Sequence, residues 1–410
     1  MKASYHDVSP EMTFQWVKIL KEDILMKRAL TILTVLLAIA ALAGCAKTEA
    51  KVDSTVVKFG VFEPLTGANA AGGAEELDGI RLAQELYPTV TVDGKEYKIE
   101  LAIADNKSDK VEAANAGQRL VDSDKVQVVL GSWGSGLSMA AGPIFKDAKI
   151  PAIGLSCTNP LVTKDNDFYF RVCFLDPFQG TVMANYAFKE VKAKKAVIIR
   201  EVSNDYSVGL AKFFVDSFKA LTGDDKAILA ELNYNTNDQD FSAQLTQVKS
   251  LKPDVIFAPG NYTESALIIK QARELGITAP FLGGDTWEIA EFINVGKQAV
   301  EGAVMSAFFD NDAPLTPLSK VFVESYQKKY GKLPSGTAVL GFDGYLLAID
   351  AIKRANSIDP LKIRDAIAVT KGFAGAAGFV TLDANGDPIK SAVIKEVKGG
   401  KFVYKTTINP

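Results

Sequence analysis

The chain has 410 residues, of which 48% are hydrophobic, and its formal net charge is −3. A chain of this length is suited to two domains, because single hydrophobic cores stop growing at roughly 250–300 residues. The hydrophobic fraction is that of a folded globular protein and excludes a disordered chain. Because acidic and basic residues nearly balance, the charge gives no reason to expect a nucleic-acid partner.

The N-terminal segment predicts export and lipid attachment. Met26-Lys27-Arg28 precedes an apolar run at 29–41 and the tetrapeptide Leu-Ala-Gly-Cys, which ends at Cys45. A basic start, a short apolar run and small residues before a cleavage site are typical of a secretory signal, and the run is short for a membrane span. The tetrapeptide resembles the bacterial lipobox, in which the Cys is diacylated and becomes the first mature residue. The alternative is an uncleaved anchor with an incidental Cys.

These features divide the N-terminal residues into three predicted segments. Residues 1–25 are an upstream extension, 26–44 a lipoprotein signal peptide and 45–55 a polar tether. Whether translation starts at Met1 or Met26 stays open. We expect the protein to be exported and held through the lipid on Cys45, either at the outer face of the cytoplasmic membrane or in the periplasm.

The types of side chain present exclude several kinds of active site. The one His of the chain, His6, lies in the segment that signal cleavage removes. A chain without His cannot use a Ser-His-Asp or Cys-His mechanism, nor build the common zinc sites. No phosphate loop, metal loop or dinucleotide fingerprint occurs, so we expect neither a metal nor a cofactor. Cys157 and Cys173 fit a pair of small buried residues, a disulfide or a nucleophile.

From residue 56 onward, short β-branched runs alternate with helical patterns. The first series has predicted strands at 56–62, 97–104, 126–131 and 151–155, and predicted helices at 74–86, 111–121 and 139–147. A second series with the same order of elements extends to residue 283. This alternation predicts an α/β fold with two similar, doubly wound parallel-sheet lobes. The remaining elements are helices at 318–330, 338–355 and 360–369, then antiparallel strands at 379–382, 392–397 and 402–407, with a hairpin signal at Asn385-Gly386.

Three polar turns follow predicted strands, at 131–136, 155–160 and 283–287. In open α/β sheets, ligands bind outside the carboxyl ends of the strands, where helix N-termini favour anions. The Gly- and Ser-rich first turn is therefore a candidate for binding a carboxylate, and Asp285 in the third turn for binding a cation. Each feature has a structural alternative, because Gly/Ser turns cap helices, Asp285 fits an N-cap position and the Trp residues of these turns fit a core.

Three segments carry a resemblance to a known family. VKFGVFEPLTG at 57–67, SCTNPLVT at 156–163 and NDYSVG at 204–209 resemble the leucine/isoleucine/valine-binding proteins, and short matches at 240–242, 271–273 and 283–285 keep the same order. The resemblance covers essentially the whole mature chain. It implies the type I periplasmic-binding-protein fold, with three crossovers and a ligand cleft between the lobes.

The resemblance also implies the lobe boundaries. Lobe 1 comprises 56–173 and 307–380, and lobe 2 comprises 174–306 and 381–410. The crossovers then lie near 171–176, 306–309 and 379–382.

Ligand-binding roles follow from the same resemblance. It implies a hydroxyl at Ser135, a backbone-plus-hydroxyl pair at Ser156 and Thr158, a stacking Tyr206 and an acid for the ligand ammonium at Asp285. A second tyrosine falls on Tyr262 or on its neighbour Asn261. The predicted ligand-binding set is Trp133, Gly134, Ser135, Ser156, Cys157, Thr158, Tyr206, Tyr262 and Asp285.

The implied function is that of the substrate-binding component of an ABC importer, which binds a branched-chain or other hydrophobic amino acid and delivers it to membrane permease subunits. The loop at 67–73 lacks the aromatic residue that several family members carry there, so aliphatic and aromatic ligands both stay open. The alternative is an amino-acid-sensing module that signals to a membrane receptor. An enzyme with Cys157 as nucleophile is disfavoured by the missing His, and we expect no enzyme activity.

Overall fold

The computed structural model describes residues 55–410. The predicted extension, the signal peptide and the tether up to residue 54 lie outside the described residues, and so do Cys45 and His6. Across residues 55–410, no helix combines the length and the apolar character needed to cross a membrane.

Strands and helices alternate along the described chain. The strands are β1 (Val56–Glu63), β2 (Thr89–Val92), β3 (Lys95–Asp105), β4 (Val128–Leu130), β5 (Ala152–Gly154), β6 (Tyr169–Arg171), β7 (Ala196–Glu201), β8 (Ile228–Tyr234), β9 (Val255–Phe257), β10 (Phe281–Gly283), β11 (Val304–Ala307), β12 (Phe373–Gly375), β13 (Gly378–Val380), β14 (Ala392–Lys398) and β15 (Lys401–Ile408). The α-helices are α1 (Ala70–Leu86), α2 (Lys110–Arg119), α3 (Ser135–Ala148), α4 (Asp176–Lys189), α5 (Asp205–Thr222), α6 (Ser242–Leu251), α7 (Tyr262–Glu274), α8 (Ala290–Gly296), α9 (Pro317–Tyr330), α10 (Gly336–Ala355) and α11 (Pro360–Ala368). A π-helical turn follows α2 at Leu120–Asp124, and short 3-10 turns lie at Pro160–Val162, Asp285–Trp287 and Lys297–Val300.

The first lobe is built on a six-stranded sheet in the order β2-β3-β1-β4-β5-β6. All its pairings are parallel except that of β2 with β3. Helix α10 returns from much later in the chain and packs on α1. Two glycines permit this close crossing, because a Cβ on Gly79 would lie 1.9 Å from the carbonyl oxygen of Ala338, and one on Gly341 would lie 2.1 Å from that of Glu76.

The second lobe is built on a seven-stranded sheet in the order β15-β14-β11-β10-β9-β7-β8. Strands β7 to β11 pair in parallel, while β14 and β15 are antiparallel additions at one edge. The predicted α/β fold with two wound lobes is therefore confirmed, with antiparallel edge strands that make both sheets mixed.

The C-terminal strands pair differently from the prediction. Strand β13 pairs with β12, and β14 pairs with β15 across Gly399-Gly400. The hairpin predicted at Asn385-Gly386 does not join two strands. Its turn closes only an isolated bridge between Leu382 and Pro388. The turn itself forms, because Oδ1 of Asp383 accepts the backbone N–H of Asn385 at 2.8 Å and Gly386 takes the positive φ of 83° that this turn requires.

Within residues 55–410, three segments run between the lobes. They are residues 172–175 between β6 and α4, 308–316 between β11 and α9, and 381–391 between β13 and β14. The third is longer than the crossover expected at 379–382, and its turn lies against β6, where the backbone N–H of Arg171 donates to the carbonyl oxygen of Gly386.

Candidate functional site

A cavity of about 390 Å³ lies between the lobes, at the carboxyl ends of their parallel strands. This is the position at which open α/β sheets bind ligands. The lining residues of the first lobe are Asn69, Ser108, Asp109, Lys110, Trp133, Gly134, Ser135, Gly136, Leu137 and Ser156. Those of the second lobe are Glu201, Ser203, Asn204, Asp205, Tyr206, Thr236, Asn237, Asn261, Asp285 and Thr286.

The second lobe contributes a buried carboxyl group, Asp285, which follows β10 and is 2% exposed. Its Oδ1 accepts hydrogen bonds from Nε2 of Gln179 at 2.5 Å and from the hydroxyl of Tyr206 at 2.9 Å. Burial raises the pKa of Asp285 to about 6. The two hydrogen bonds oppose this rise, because they favour the charged form. Within residues 55–410, no Lys or Arg forms an ion pair with Asp285. A cationic ligand group would supply this missing partner.

The first lobe contributes the N-terminus of α3, which begins at Ser135. Gly134 is its N-cap residue and has a positive φ of 96°, so no side chain caps the first turn. The hydroxyl of Ser135 accepts the backbone N–H of Asn159 at 3.2 Å, which holds the loop after β5 against this helix end. Ser156, from that loop, also lines the cavity. A helix N-terminus flanked by hydroxyls suits a carboxylate.

The structure brings six of the predicted residues together around the cavity: Trp133, Gly134, Ser135, Ser156, Tyr206 and Asp285. Cys157 and Thr158 are fully buried and do not line it. The carbonyl oxygen of Cys157 instead accepts Nη1 of Arg171 at 2.6 Å. Cys157 and Cys173 are buried free thiols, and a hydrogen bond with Cys173 lowers the pKa of Cys157 to about 7.

Tyr262 does not line the cavity but connects the lobes. Its hydroxyl donates to the carbonyl oxygen of Ala68 at 2.9 Å and accepts the backbone N–H of Ala71 at 3.3 Å. Its ring meets Trp133 edge-on, with ring centroids 5.9 Å apart. Trp133 thereby joins the apolar cluster of the second lobe although it belongs to the first. These contacts hold the two lobes closed over the cavity.

Two polar pairs at the mouth of the cavity also join the lobes. Nζ of Lys110 lies 2.6 Å from Oδ2 of Asp205, and Nδ2 of Asn159 donates to the carbonyl oxygen of Asp205 at 2.9 Å. Both side chains of the ion pair are more than a third exposed, so its contribution to closure is small.

A chain of hydrogen-bonded polar side chains also lines the cleft. Only one of its members, Asn261, was predicted from the sequence, as the alternative to Tyr262, and the others were missed. Nδ2 of Asn204 donates to Glu201 at 3.0 Å and to Oδ1 of Asn261 at 3.2 Å. Nδ2 of Asn261 donates in turn to Oδ1 of Asn69, across the cleft, at 2.9 Å. A signal was present in the sequence, because each Asn follows a strand and directly precedes a helix, where loop side chains reach a ligand.

Two acidic residues of the first lobe are buried behind the residues that line the cavity. Oε2 of Glu63, at the end of β1, accepts the backbone N–H of Trp133 at 2.7 Å and so positions the loop after β4. Burial raises the pKa of Glu63 well above its ordinary range, and the nearby Glu76 raises it further. Burial also raises the pKa of Glu76, to about 8. At neutral pH the pair therefore holds a proton.

Comparisons with known proteins agree with this geometry. A family model described as periplasmic binding protein matches residues 56–401. The chain belongs to the periplasmic binding protein family. The predicted type I fold and the predicted kinship with the leucine/isoleucine/valine-binding proteins are confirmed, and the family is one of exported solute-binding proteins.

Three relatives illustrate the kinship. The leucine binding protein LivK from Thermotoga maritima has 43% sequence identity to this chain, and its crystal structure superposes with a TM-score of 0.83. The match covers 87% of this chain and 99% of that chain. The branched-chain amino acid transporter substrate binding protein LivJ from Streptococcus pneumoniae, solved in complex with isoleucine, is 32% identical, with a TM-score of 0.80, over 87% of this chain and 100% of that chain. Leu/Ile/Val-binding protein homolog 1 from Brucella suis is 28% identical over 85% of this chain and 93% of its own length.

Proposed function

We propose that this protein is the extracytoplasmic solute-binding component of an ABC importer and that it binds an α-amino acid between its lobes. The observation that carries the proposal is Asp285, a buried carboxylate in the cleft that forms no ion pair with a Lys or Arg of residues 55–410. The uncapped N-terminus of α3 lines the same cavity from the other lobe. An α-ammonium and an α-carboxylate would satisfy these two features together, as a zwitterion leaving water requires.

The relatives support the transport role. LivK is described as a leucine binding protein, and LivJ as a branched-chain amino acid transporter component in complex with isoleucine. By this proposal the closed, loaded form delivers the amino acid to membrane permease subunits. No enzyme activity is part of the proposal, because Cys157 is fully buried away from the cavity, and the bound amino acid should be recovered unchanged.

Calorimetry tests which groups of the ligand are recognised. The common L-amino acids are titrated into the protein, and the tightest one is compared with its decarboxylated amine and with the acid that lacks the amino group. We expect both analogues to bind at least about 100-fold more weakly, because each leaves one charged partner of the protein unpaired. An analogue that binds as well as the amino acid, or the absence of binding by every amino acid, would contradict the proposal.

Closure is tested by small-angle scattering. If Asp285 and the end of α3 bind opposite ends of one ligand, the closed state gains affinity over the open one, which is what a population shift requires. The three segments between the lobes then act as hinges. We expect a smaller radius of gyration with saturating amino acid than without it. Equal values, with binding shown independently, would argue against a two-lobe clamp.

We also propose that Cys45 is the first mature residue and carries a lipid that holds the protein at the membrane surface. The support is the Leu-Ala-Gly-Cys sequence after an apolar run. Replacing Cys45 with Ser should release soluble protein or leave the precursor uncleaved, since two acyl chains suffice for stable anchoring. Mass spectrometry that finds unmodified Cys45 within an intact N-terminus would contradict this.

A further inference from the structure

The walls of the cleft carry an excess of polar side chains that the ends of an α-amino acid do not use. If Asp285 and Tyr206 bind the ammonium while Ser135 and Ser156 bind the carboxylate, the ligand's side chain extends into the rest of the cavity. Except for those of Trp133 and Leu137, the side chains that line the cavity are polar, and Gly134 and Gly136 contribute backbone only. An aliphatic side chain would desolvate those polar groups and would leave unpaired any donor that has no partner within the protein, which is costly.

Two of the polar residues occupy helix N-cap positions without capping. Asn69 precedes α1 and Asn261 precedes α7, and neither side chain accepts a hydrogen bond from its own helix. Asn is among the preferred N-cap residues because it normally does so. Here the two side chains instead bond to each other across the cleft, with Nδ2 of Asn261 lying 2.9 Å from Oδ1 of Asn69. Their role is therefore in the cleft.

The side-chain amide of Asn69 keeps N–H groups that can donate to a ligand. Its backbone N–H donates to Ser108 and its Oδ1 accepts from Asn261, but Nδ2 of Asn69 donates to no acceptor within residues 55–410. The Asn69 side chain is held in place through Asn261 and Asn204 while an amide N–H group remains for a ligand oxygen. A fixed, unpaired donor in a binding cleft favours ligands that supply an acceptor.

The charged residues of the lining have partners within the protein, although only Lys110 and Asp205 form an ion pair. Lys110 is paired with Asp205 at 2.6 Å, and Glu201 accepts Oγ1 of Thr236 at 2.5 Å. Asp109 caps α2 by accepting the backbone N–H groups of Val111 and Glu112. A ligand with an anionic side chain would find no unpaired cation among these residues. A cationic side chain would find the carboxylates of Glu201 and Asp109, which are held by hydrogen-bond donors alone. However, Lys and Arg side chains offer only donors and so cannot match the free donor of Asn69.

We infer that the amino acid bound here has an uncharged, hydrogen-bonding side chain, an amide or a hydroxyl, and that Asn69 and Asn261 recognise it. This inference rests on the proposed function and narrows its ligand class. It departs from the branched-chain ligands of the relatives, whose side chains offer no hydrogen-bonding group.

Isosteric pairs of amino acids test the inference by calorimetry. The pairs are L-asparagine with L-leucine, L-threonine with L-valine, and L-glutamine with L-methionine, which differ in polarity far more than in shape. We expect the polar member of at least one pair to bind about 10- to 100-fold tighter than its apolar partner, since an unmatched polar site rejects the apolar isostere. Equal or tighter binding of the apolar member in every pair would overturn the inference and leave the proposed function standing. If none of the six binds and the tightest of the common L-amino acids has neither an amide nor a hydroxyl in its side chain, the inference fails alone. If no common L-amino acid binds to folded protein, both fail.

A variant provides the second test. Asn69→Leu removes the free donor at a half-buried position that caps no helix, so the fold should persist. We expect the preference for the polar isostere to fall at least about fivefold. The matched control is Asn115→Leu, on the exposed face of α2 and away from the cavity, which should keep the preference. An unchanged ratio in Asn69→Leu would exclude Asn69 from side-chain recognition and overturn the inference.

Discussion

The hydroxyl of Tyr262, at the start of α7 in the second lobe, lies 2.9 Å from the carbonyl oxygen of Ala68 in the first lobe. The same hydroxyl accepts the backbone N–H of Ala71. These bonds exist only while the lobes are together, so the free energy they contribute belongs to the closed state alone. A residue that the family resemblance assigned to ligand contact thus acts, in this structure, between the lobes.

Replacing Tyr262 with Phe should weaken ligand binding without weakening the fold. The variant keeps the ring that packs on Trp133 and loses the hydroxyl, which we expect to disfavour closure by about 1 kcal/mol and to raise the Kd of the amino acid roughly fivefold. Calorimetry measures this change. The matched control is Tyr404→Phe, whose hydroxyl bonds Thr407 within β15, and which should bind as wild type. Equal affinity of the two variants would show that the bond of Tyr262 does not favour closure.

The affinity for an amino acid should depend on pH through Asp285. Its pKa of about 6 in the empty protein means that a proton competes with the ligand's ammonium. We expect the Kd to be constant between about pH 7 and pH 8 and to rise about tenfold for each pH unit below 6. Calorimetry at about pH 5 and pH 7.5 checks this, and a Kd that is constant over this range would show that Asp285 is not the ammonium partner.

The Asp285→Asn variant separates binding from stability. We expect it to lose about 2–5 kcal/mol of binding, because the ligand ammonium stays poorly paired, and to show no rise in Kd below pH 6. A carboxyl group whose folded-state pKa is raised lowers the free energy of unfolding as pH rises from its unfolded pKa to its folded one. The Asn variant lacks that decline, so its stability near neutral pH should equal or exceed that of the wild type in chemical denaturation.

The sequence predicts the wound strands and helices and much of the site for local reasons. A turn such as 131–136, between a strand and a helix, must lie at the carboxyl edge of a parallel sheet, and Trp133, Ser135 and Asp285 follow from that rule. The part played by Tyr262 depends instead on how far one lobe swings toward the other, which no local pattern encodes. The same holds for the bond between Asn69 and Asn261, whose partners are 192 residues apart in sequence.

The C-terminal part shows where local signals mislead. Asn385-Gly386 has the sequence of a hairpin turn and does turn, yet the strands it should join pair elsewhere. Phe379 lies in β13, which pairs with β12 and so stays with the first lobe. Ala392 begins β14, which extends the sheet of the second lobe. A short-range signal cannot predict that the chain changes lobes within this segment.

The Glu63–Glu76 pair should make the protein more stable at mildly acidic pH than at alkaline pH. Burial raises the pKa of Glu76 to about 8, so folded protein keeps a proton that the unfolded chain loses above its ordinary pKa of 4.5. Stability then falls as pH rises from about 4.5 to about 8. A Glu76→Gln variant keeps the shape without the charge, and we expect its free energy of unfolding to exceed that of the wild type by about 1–3 kcal/mol near pH 8.

Denaturant titrations of both proteins at about pH 5 and pH 8 check this difference. A comparable control is Glu274→Gln at the exposed end of α7, which removes an acid of the same type without burial. It should leave the pH dependence of the wild type unchanged. If the Glu76→Gln variant had the pH profile of the wild type, the proton that the folded protein retains would belong to another group.

The last prediction concerns Arg171, which is fully buried where the first and third segments between the lobes meet. Its Nε lies 2.6 Å from Oδ1 of Asp387, and its Nη atoms donate to the carbonyl oxygens of Cys157 and Asn159 and to the hydroxyl of Thr163. One guanidinium thus ties the loop of the candidate site to the turn at 383–387.

The Asp387→Asn variant should therefore lose about 3–5 kcal/mol of stability, because it leaves the guanidinium charge buried without its counter-charge. The matched control is Asp365→Asn, which removes a carboxylate that pairs with Arg364 at 2.9 Å on the surface, where the Asp365 side chain is 71% exposed. Solvent screens that pair, so the control should lose less than about 1 kcal/mol. Chemical denaturation followed by circular dichroism measures both losses. Equal losses would mean that the guanidinium of Arg171 is satisfied by its carbonyl and hydroxyl partners alone, and that the charge of Asp387 is dispensable.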